Sequence, residues 1–441
     1  AYVVAYAYTD FLQYSGPLQM WLRQTTGLQG ALWPDIRSLW GAALVLSLSL
    51  YPYVYLLART ALTERATPLM EAARLLGAPL WRRIGQLALP LARPAIAAGT
   101  ALALMETLAD FGVASYFGVQ TFTAGIYKAW LVMDNRVAAA QLATSLLLLV
   151  ALMLKLEHSA QSRLRFANTS GGTHGSEAQA LRLHGAHAAL AWALCSLPVL
   201  LGFGVPVLLL LTALAQAGDT GLPWMRFVDW TWNSLRLGAM TAVLAVGLAL
   251  ALAYQARLRS HRLSRWAVQW AGLGYAVPGV VIVVGLLLPL GWLQQAWPSS
   301  QAGTWITATV LGLVWAYLVR FVAVALQSVQ SGYARIPVSL DESARMLGTS
   351  ARTLVQQVHM PLLQRSLVAA FLLVLVDVMK ELPATLMLRP FDTDTLAVMA
   401  YQLARDERLA EAALPSLALV LVGLVPVMLL SRSLRQRPQP S

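Results

Sequence analysis

The sequence predicts an all-α polytopic membrane protein made of two homologous transmembrane helical bundles. Three observations lead to this fold class. The 441 residues are 58% hydrophobic and only 12% charged, long apolar runs recur along the chain, and one polar loop occurs twice. Charged residues make up about a quarter of a soluble domain. This chain therefore lacks the polar surface that a soluble protein of its size would need.

Nine apolar runs are long enough to cross a bilayer, which takes roughly 20 helical residues. They cover residues 36–58, 94–115, 136–154, 188–215, 233–255, 266–292, 304–328, 365–382 and 412–431. Residues 1–12 are apolar and rich in tyrosine but too short to cross. They predict the outer end of a further span.

Clusters of arginine predict which loops lie in the cytoplasm, because short loops rich in Lys and Arg stay on that side. The clusters fall in residues 59–93, 256–265 and 329–364, and in the tail after residue 431. The loops between them are flanked by interfacial tryptophans such as Trp224. The pattern places the carboxyl terminus in the cytoplasm, and it explains the net charge of +12 without a nucleic-acid partner.

A polar stretch divides the chain into three predicted parts. Residues 1–154 form a first half, residues 155–187 a flexible cytoplasmic linker rich in Ser, Thr and Gly, and residues 188–441 a second half. Three linker histidines are open to two interpretations, a metal site or solvated side chains. They are His174, His184 and His187. With Cys195 as its lone cysteine, the chain has neither a disulfide framework nor a cysteine metal site.

The two copies of the polar loop lie one in each half. Loop 1, residues 71–90, reads EAARLLGAPLWRRIGQLALP, and loop 2, residues 342–361, reads ESARMLGTSARTLVQQVHMP. Glu342 lies 271 residues after Glu71, and the same offset relates the other matching positions. Ala73, Arg74, Leu76, Gly77, Gln86 and Pro90 recur as Ala344, Arg345, Leu347, Gly348, Gln357 and Pro361.

Each loop predicts a short helix, a glycine that turns the chain at positive φ, and a second helix ended by proline. Such a helix–turn–helix element forms a rigid knob that fits a groove on a soluble partner and transmits its motion. The alternative is a loop that only packs on its own bundle. Insertion into a membrane does not require two matching polar loops, so the duplication favours the knob.

Four carboxylates fall within the predicted spans, where ionisable groups are costly and indicate function. Glu106 and Asp110 share one helix face, and the offset of 271 maps them onto Asp377 and Glu381. Around a pseudo-twofold axis they would line a candidate translocation path that attracts a cation or a ferric complex. The alternative is a structural role, with helix-end contacts or a pair to Lys380.

Three tyrosines near the amino end, Tyr2, Tyr6 and Tyr8, offer phenol oxygens that suit ferric iron. Tyrosines at the end of a span also form the aromatic belt at a membrane surface. Both interpretations stay open, and the sequence assigns no metal ligand.

The two loops resemble the EAA loops of binding-protein-dependent ABC importer permeases, and two copies in one chain resemble a fused permease. Loop 2 departs from the family pattern at Ser343, which keeps a small side chain. Two further stretches resemble the ferric-iron type of permease. These are METLADFGVASYFGV, residues 105–119, and KELPATLMLRPFDTDTLAVMAYQLA, residues 380–404.

The resemblance implies the fold of a type I ABC importer permease in a bacterial inner membrane, surrounded by lipid. It implies two copies of an ATPase subunit and a periplasmic substrate-binding protein as partners, and no nucleic acid. The implied ATPase-coupling residues are Glu71, Ala73, Gly77 and Pro90 with their counterparts Glu342, Ala344, Gly348 and Pro361. The sequence has no GxxxxGK[ST] phosphate loop, so we expect no catalytic residue and no bound cofactor here, with ATP and Mg on the partners.

The second half has two spans that precede the counterpart of residues 1–12, and the first half has no match for them. We therefore expect an amino-terminally truncated chain whose full form has about 90 more residues, including two spans of about 20 residues. The substrate alternatives are thiamine, a polyamine or an oxyanion. From other classes, an ion-coupled secondary transporter and a structural membrane scaffold also remain.

Overall fold

The computed structural model describes residues 1–63, 67–166, 184–216, 223–258, 262–299 and 301–435. All regular structure in these ranges is helical, which confirms the predicted all-α class. The middle of the predicted linker, residues 167–183, lies outside the described residues, and so does His174.

The first eleven α-helices precede residue 217. They are α1 Tyr2–Leu12, α2 Pro17–Thr26, α3 Leu39–Ala61, α4 Thr67–Leu75, α5 Leu80–Arg83, α6 Leu89–Ala109, α7 Gly112–Tyr116, α8 Phe122–Tyr127, α9 Arg136–Phe166, α10 Ala186–Val199 and α11 Val205–Gln216. Helix α1 confirms that the apolar residues 1–12 are helical.

Eleven more α-helices follow residue 223. They are α12 Trp224–Leu258, α13 Arg262–Leu273, α14 Gly279–Ala296, α15 Ala302–Ala308, α16 Val310–Tyr333, α17 Val338–Met346, α18 Ala351–Thr353, α19 Met360–Met379, α20 Pro383–Leu388, α21 Leu396–Arg405 and α22 Leu409–Arg435.

Nine stretches of the described chain are long and apolar enough to span a membrane, as the sequence predicts. They are Leu39–Ala61, Leu80–Ala109, Arg136–Leu156, Ala186–Gln216, Trp224–Leu258, Gly279–Ala296, Val310–Tyr333, Ala351–Met379 and Leu409–Pro426. The protein is therefore a multi-pass membrane protein.

The prediction of one continuous span over residues 266–292 is wrong. Helix α13 ends at Leu273, a single 3₁₀ turn follows, and α14 begins at Gly279. Pro278 explains the break, because a proline disfavours helical backbone at the preceding residue and Val277 is extended, with φ −81° and ψ 123°. The span predicted over residues 94–115 also ends early, at Ala109, where Asp110 turns to an extended ψ of 131°.

The chain folds into two compact units. Unit 1 comprises residues 1–125 and 141–209, and unit 2 comprises residues 126–140 and 210–441. The predicted halves, residues 1–154 and 188–441, follow the repeat rather than compactness, so their limits stay a prediction.

Unit 1 has a buried apolar core around α1, α3 and α7. Ala5, Val45 and Val113 are fully buried there, and Tyr8 and Phe117 are nearly so. Helix α3 thus joins the short helices α1 and α7 in this core, and it also packs along α6.

The core of unit 2 lies between α12, α16 and α19, which pack against one another along their lengths. Small residues such as Ala245, Ala249 and Ala325 let these helices approach closely, and Leu313 and Val374 fill the space between them. The three helices form a rigid frame that positions loop 2 at one end.

Candidate functional site

Loop 1 turns sharply at Gly77, directly after helix α4. Gly77 has a φ of +76°, its N–H donates to the Arg74 carbonyl at 3.0 Å, and the Ala78 N–H donates to the Ala73 carbonyl at 3.0 Å. This pair of hydrogen bonds is the Schellman motif, which caps the last carbonyls of a helix and needs a left-handed residue. Glycine adopts that conformation without steric cost.

Loop 2 repeats the same turn after α17. Gly348 has a φ of +77°, its N–H donates to the Arg345 carbonyl at 2.9 Å, and the Thr349 N–H donates to the Ala344 carbonyl at 3.1 Å. Every donor and acceptor lies 271 residues after its counterpart in loop 1. The predicted glycine turns are confirmed, whereas the predicted role of these residues in coupling to an ATPase stays a prediction.

Each turn carries two large apolar side chains that are almost fully exposed to solvent. Leu75 and Leu76 are 89% and 87% exposed, and Met346 and Leu347 are 88% and 86% exposed. Exposed apolar pairs at matching positions of a rigid turn are typical of a surface that another protein covers. Glu71 and Glu342 are also exposed, four and five residues before the two members of each pair.

The helix that follows each turn widens into a π-helical stretch before the predicted proline. These stretches are Ile84–Ala88 and Leu354–His359, and the N–H groups of Leu89 and Met360 donate to the carbonyls of Ile84 and Val355. Pro90 and Pro361 then stand in the first turn of α6 and α19, so the prediction that these prolines end the second helix is wrong, and the helical path continues through them. Proline has no N–H to donate to the carbonyl four residues earlier. The π-helical stretch directly before each proline already departs from the α-helical hydrogen-bond pattern, so the proline is tolerated there.

Loop 2 is anchored to unit 2 by a buried polar network around Asp341. Its carboxylate accepts a hydrogen bond from Arg257 Nε at 2.6 Å and contacts His359 Nε2 at 2.9 Å. His359 Nδ1 lies 3.2 Å from the Tyr333 hydroxyl. The Arg257 guanidinium also donates to the carbonyls of Tyr333 and Ile336. The network joins α12, α16 and the helix after the turn.

The electrostatics of this network favour an ionised Asp341. Burial, the largest single influence, raises its pKa, but the hydrogen bonds and charges of Arg257 and His359 together lower the pKa below its ordinary value of 3.8. The carboxylate is therefore held charged between two side chains from different elements.

Loop 1 has apolar residues at the positions of this network. The counterparts of Asp341, His359 and Tyr333 are Met70, Ala88 and Leu62. Ala88 is buried and Met70 is half-buried. The two loops thus share a backbone turn and an apolar tip but are attached to their units by different chemistry.

A second repeated feature lies at the far end of α6 and α19. Asp110 accepts hydrogen bonds from the N–H groups of Val113 and Ala114 at 3.0 and 3.2 Å. Glu381 accepts bonds from the N–H groups of Ala384 and Thr385 at 3.2 and 3.1 Å. Each carboxylate caps the short helix that follows it, where a negative charge is favoured.

Glu381 has charged and polar neighbours, and the residues at the corresponding positions around Asp110 are different. Arg320 lies in helix α16, and its Nη1 is 3.2 Å from Glu381 Oε1. The Thr385 hydroxyl contacts Glu381 Oε2 at 3.0 Å and the Tyr317 hydroxyl at 2.6 Å. In unit 1 the counterparts of Arg320 and Tyr317 are Ser49 and Leu46. The buried ion pair therefore belongs to unit 2.

The other two predicted carboxylates are less constrained. Asp377 pairs with Lys380 at 2.7 Å, and Glu106 is partly exposed on α6. Glu106 and Asp110 lie in unit 1, and Asp377 and Glu381 lie in unit 2. The structural contacts agree with the alternative of helix-end packing, and a shared translocation path stays a prediction.

The tyrosines near the amino end pack as aromatic rings. Tyr6 stacks edge-on against Tyr116 with ring centroids 4.5 Å apart and against Tyr2 at 5.9 Å. The Tyr8 hydroxyl donates to the Leu201 carbonyl. Among the described residues no group of three His, Cys, Asp or Glu is arranged to hold a metal, and His184 and His187 are exposed.

Sequence reasoning missed Asp341, His359, Arg257 and Arg320. The signal that finds three of them is a mismatch within the repeat. Where loop 1 and its helices have Met70, Ala88 and Ser49, the second copy has a charged or titratable residue. The position 271 residues before Arg257 lies ahead of residue 1, so the repeat offers no comparison for it, and its contact with Asp341 is what reveals it.

Two comparisons with known proteins agree with this geometry. The family model described as "Binding-protein-dependent transport system inner membrane component" matches residues 15–163 and 243–438. Both repeat loops lie inside the matched segments.

Three curated relatives cover different shares of the chain. The Fe(3+)-transport system permease protein FbpB 2 of Haemophilus influenzae is 27% identical over 404 residues, which is 89% of this chain and 76% of that protein. A putative 2-aminoethylphosphonate transport system permease protein PhnV of Salmonella typhimurium is 27% identical over 55% of this chain and 94% of its own length. The maltose/maltodextrin permease MalG of Vibrio parahaemolyticus is 28% identical over 41% of this chain and 60% of its own.

Proposed function

The chain belongs to the family of binding-protein-dependent transport system inner membrane components, and from this premise we propose that it is the fused permease subunit of an ATP-driven importer of ferric iron. In this proposal a periplasmic binding protein delivers the iron, and two copies of an ATPase subunit bind loops 1 and 2. ATP and Mg bind to those subunits, and this chain performs no covalent chemistry.

The observation that carries the proposal is the pair of matching turns. Each loop holds two exposed apolar side chains on a Schellman turn whose glycine has nearly the same φ, +76° and +77°. An exposed apolar pair on a rigid turn gains free energy when it enters an apolar groove of a partner. Two such turns, one in each half, fit two copies of one partner.

The mechanism that we propose is alternating access. Closure of two ATPase subunits around ATP would move both loops, and each loop continues directly into a membrane-spanning helix, α6 or α19. A bundle with two discrete packings responds to such a motion by shifting its population between them. The binding energy of ATP on the partners would thereby open the bundle to one side at a time.

The proposed topology follows from the positions of the loops. If loops 1 and 2 meet a cytoplasmic ATPase, the carboxyl terminus is cytoplasmic too, in line with the arginine clusters. Residues 389–395, at the other end of α19, then face the periplasm. The membrane is the bacterial inner membrane, and the binding protein meets the periplasmic face.

Ferric iron is favoured over other cargo by how much of the chain each relative covers. The Haemophilus influenzae protein, whose name specifies Fe(3+), matches 89% of this chain, whereas the 2-aminoethylphosphonate permease matches 55%. Asp110, Glu381 and the other paired carboxylates would attract a cation or a ferric complex. Thiamine, a polyamine or an oxyanion remains the alternative cargo.

Uptake by proteoliposomes tests the proposal. The full-length chain is reconstituted with the ATPase encoded beside it, and the neighbouring binding protein is supplied with ferric iron. We expect iron uptake that requires ATP. Uptake without the ATPase would point instead to a secondary transporter, and stimulation only by another loaded ligand would remove iron as the cargo.

A matched pair of variants tests the role of the loops. L76D and L347D place a charge at each apolar tip, and we expect ATPase subunits to dissociate from the double variant. Leu263 is 82% exposed and lies outside both loops, so L263D serves as the control. Equal ATPase binding by the wild-type chain, the double variant and L263D would contradict the proposed docking.

A further inference from the structure

The loop of residues 389–395 lies at the end of unit 2 that is remote from loop 2. Helix α12 connects the two regions. Near its carboxyl end the Tyr254 hydroxyl donates to the Ala351 carbonyl of loop 2 at 3.3 Å. Near its amino end Asn233 Nδ2 donates to the carbonyls of Asp392 and Asp394 at 3.4 and 3.2 Å. With a rise of 1.5 Å per residue, these contacts are about 30 Å apart.

Hydrogen bonds fix the backbone of this loop. Besides the two bonds from Asn233, the Ser234 hydroxyl accepts the Leu396 N–H at 2.8 Å. Thr395 caps α21 by accepting the Val398 N–H, and Asp392 takes a left-handed φ of +61°. Arg389 and Asp394 form an ion pair across the loop. The loop therefore has one defined shape.

Phe391 stands at the apex of this fixed loop and is 100% exposed. Removing a phenylalanine ring from water is favourable, so a fixed backbone that keeps the ring in water forgoes that gain in free energy. Aromatic side chains held outwards on a rigid support are the residues that dominate the binding energy of protein interfaces. The ring is suited to be an anchor for a partner.

A cavity of about 520 Å³ opens beside the loop. Its lining includes Asp229, Asp392 and Asp394 together with Arg226. With Arg389, which pairs with Asp394, three carboxylates meet two guanidinium groups. The formal charges of these five side chains sum to −1, and the cavity has room for one basic side chain of a partner.

Unit 1 has no aromatic residue at the position of Phe391. The counterpart of Phe391 is Gln120, which follows the left-handed Gly118 and is exposed. A glutamine at the apex gives no apolar anchor. The repeat therefore has an anchor in its second half alone, among the two loops compared.

We propose that residues 389–395 are the main contact of this chain for the substrate-binding protein, with Phe391 entering an apolar depression of that protein and one of its Lys or Arg side chains entering the cavity at Asp229. The inference rests on the proposed function, which puts this end of unit 2 in the periplasm. The binding protein would then engage the two homologous halves unequally.

Binding measurements on the full-length chain in nanodiscs test this inference. The affinity of the iron-loaded binding protein is measured by biolayer interferometry for the wild-type chain, F391A and the matched control Q120A. We expect the Kd of F391A to rise about 30-fold, the effect of a typical hot spot of about 2 kcal/mol. We expect Q120A to stay within about twofold of the wild type. Because Phe391 is fully exposed, the thermal midpoint of F391A should not change.

A second variant tests the cavity. D229N removes one negative charge, and we expect slower association and a weaker dependence of the association rate on salt. F391W should keep the affinity, because it preserves a large aromatic ring.

The outcomes separate the two proposals. If the wild-type chain binds no binding protein, the proposed function fails and this inference fails with it. If the wild type binds and F391A binds equally well, the inference alone is overturned. A fluorophore at F391C in a C195S background that responds to added lipid but not to the binding protein would make Phe391 a membrane anchor, which also overturns the inference.

Discussion

Loop 2 is held to its unit by an ion pair and a histidine, whereas loop 1 has a methionine and an alanine at the same positions. Arg257 and His359 hold Asp341 from two sides, and the counterparts of Asp341 and His359 are Met70 and Ala88. Yet both loops form the same Schellman turn and show the same apolar tip. The difference teaches that the repeat preserves the surface that a partner would meet, while the attachment behind it has diverged.

Two kinds of attachment respond differently to change. Apolar packing loses free energy gradually as side chains shrink, by an amount that depends on how far the site collapses. A buried ion pair fails abruptly, because removal of one partner leaves a buried charge without compensation. Variants that act on one kind of attachment should therefore separate the two loops.

The largest effect is expected from D341A. The substitution leaves the guanidinium of Arg257 without its carboxylate, and breaking a buried pair costs about 3–5 kcal/mol. Hydrogen exchange, followed by mass spectrometry, should accelerate in residues 338–360 and stay unchanged in loop 1. The matched control is M70A, for which we expect a smaller local effect in loop 1. Equal acceleration in both loops of D341A would show that the network does not act locally.

Substitution of the turn glycines should affect both loops alike. A residue with a Cβ pays roughly 1–2 kcal/mol in the left-handed conformation, and β-branched valine is a poor fit there. We expect G77V and G348V each to uncouple ATP hydrolysis from uptake in proteoliposomes. Gly85 also has open space around it but no positive φ, so G85A is the control. Normal coupled uptake by G77V and G348V would remove the turns from the mechanism.

Acid should loosen loop 2 and leave loop 1 less affected. The pKa of Asp341 is lowered in the folded protein, so its contribution to stability is present above the unfolded value of 3.8 and is lost as the pH falls through the folded-state pKa. The effect should be smaller than that of D341A, because a protonated carboxyl group still forms hydrogen bonds. The loosening is measured by hydrogen exchange of both loops, corrected for the intrinsic pH dependence of the amide exchange rate. A steeper loss in loop 1 would contradict this assignment.

The sequence predicts local features of this fold well, and for physical reasons. Apolar runs of about 20 residues and a glycine before a polar break specify spans and turns through interactions within a few residues. Gly77 and Gly348 were found in this way. The break at Val277 is also local, because Pro278 lies inside the apolar run of residues 266–292 and disfavours helical backbone at the residue before it.

The anchors of loop 2 depend on distant contacts, which a single sequence does not reveal. Asp341 meets Arg257 from 84 positions earlier in the chain, and Arg320 meets Glu381 across 61 positions. The spacing of these residues along the chain does not predict which of them form pairs. The full exposure of Phe391 was equally hidden, because an aromatic residue beside a proline fits a buried turn as well as an exposed one.

The smallest effect that distinguishes the loops is expected at the start of the helix after each turn. In loop 2 the Ser350 hydroxyl caps this helix by accepting the Thr353 N–H at 3.2 Å. Its counterpart in loop 1 is Pro79, which has no side chain able to cap. Loss of such a cap costs about 1 kcal/mol. We expect S350A to speed hydrogen exchange in residues 351–359 by about fivefold. P79S should slow it in residues 80–88 if the serine adopts the same extended backbone, whose ψ is 153° at Pro79 and 156° at Ser350. Opposite signs in the two loops would show that the difference in capping is real in solution, and a change in S350A alone would mean that proline already fixes the backbone as well as a cap does.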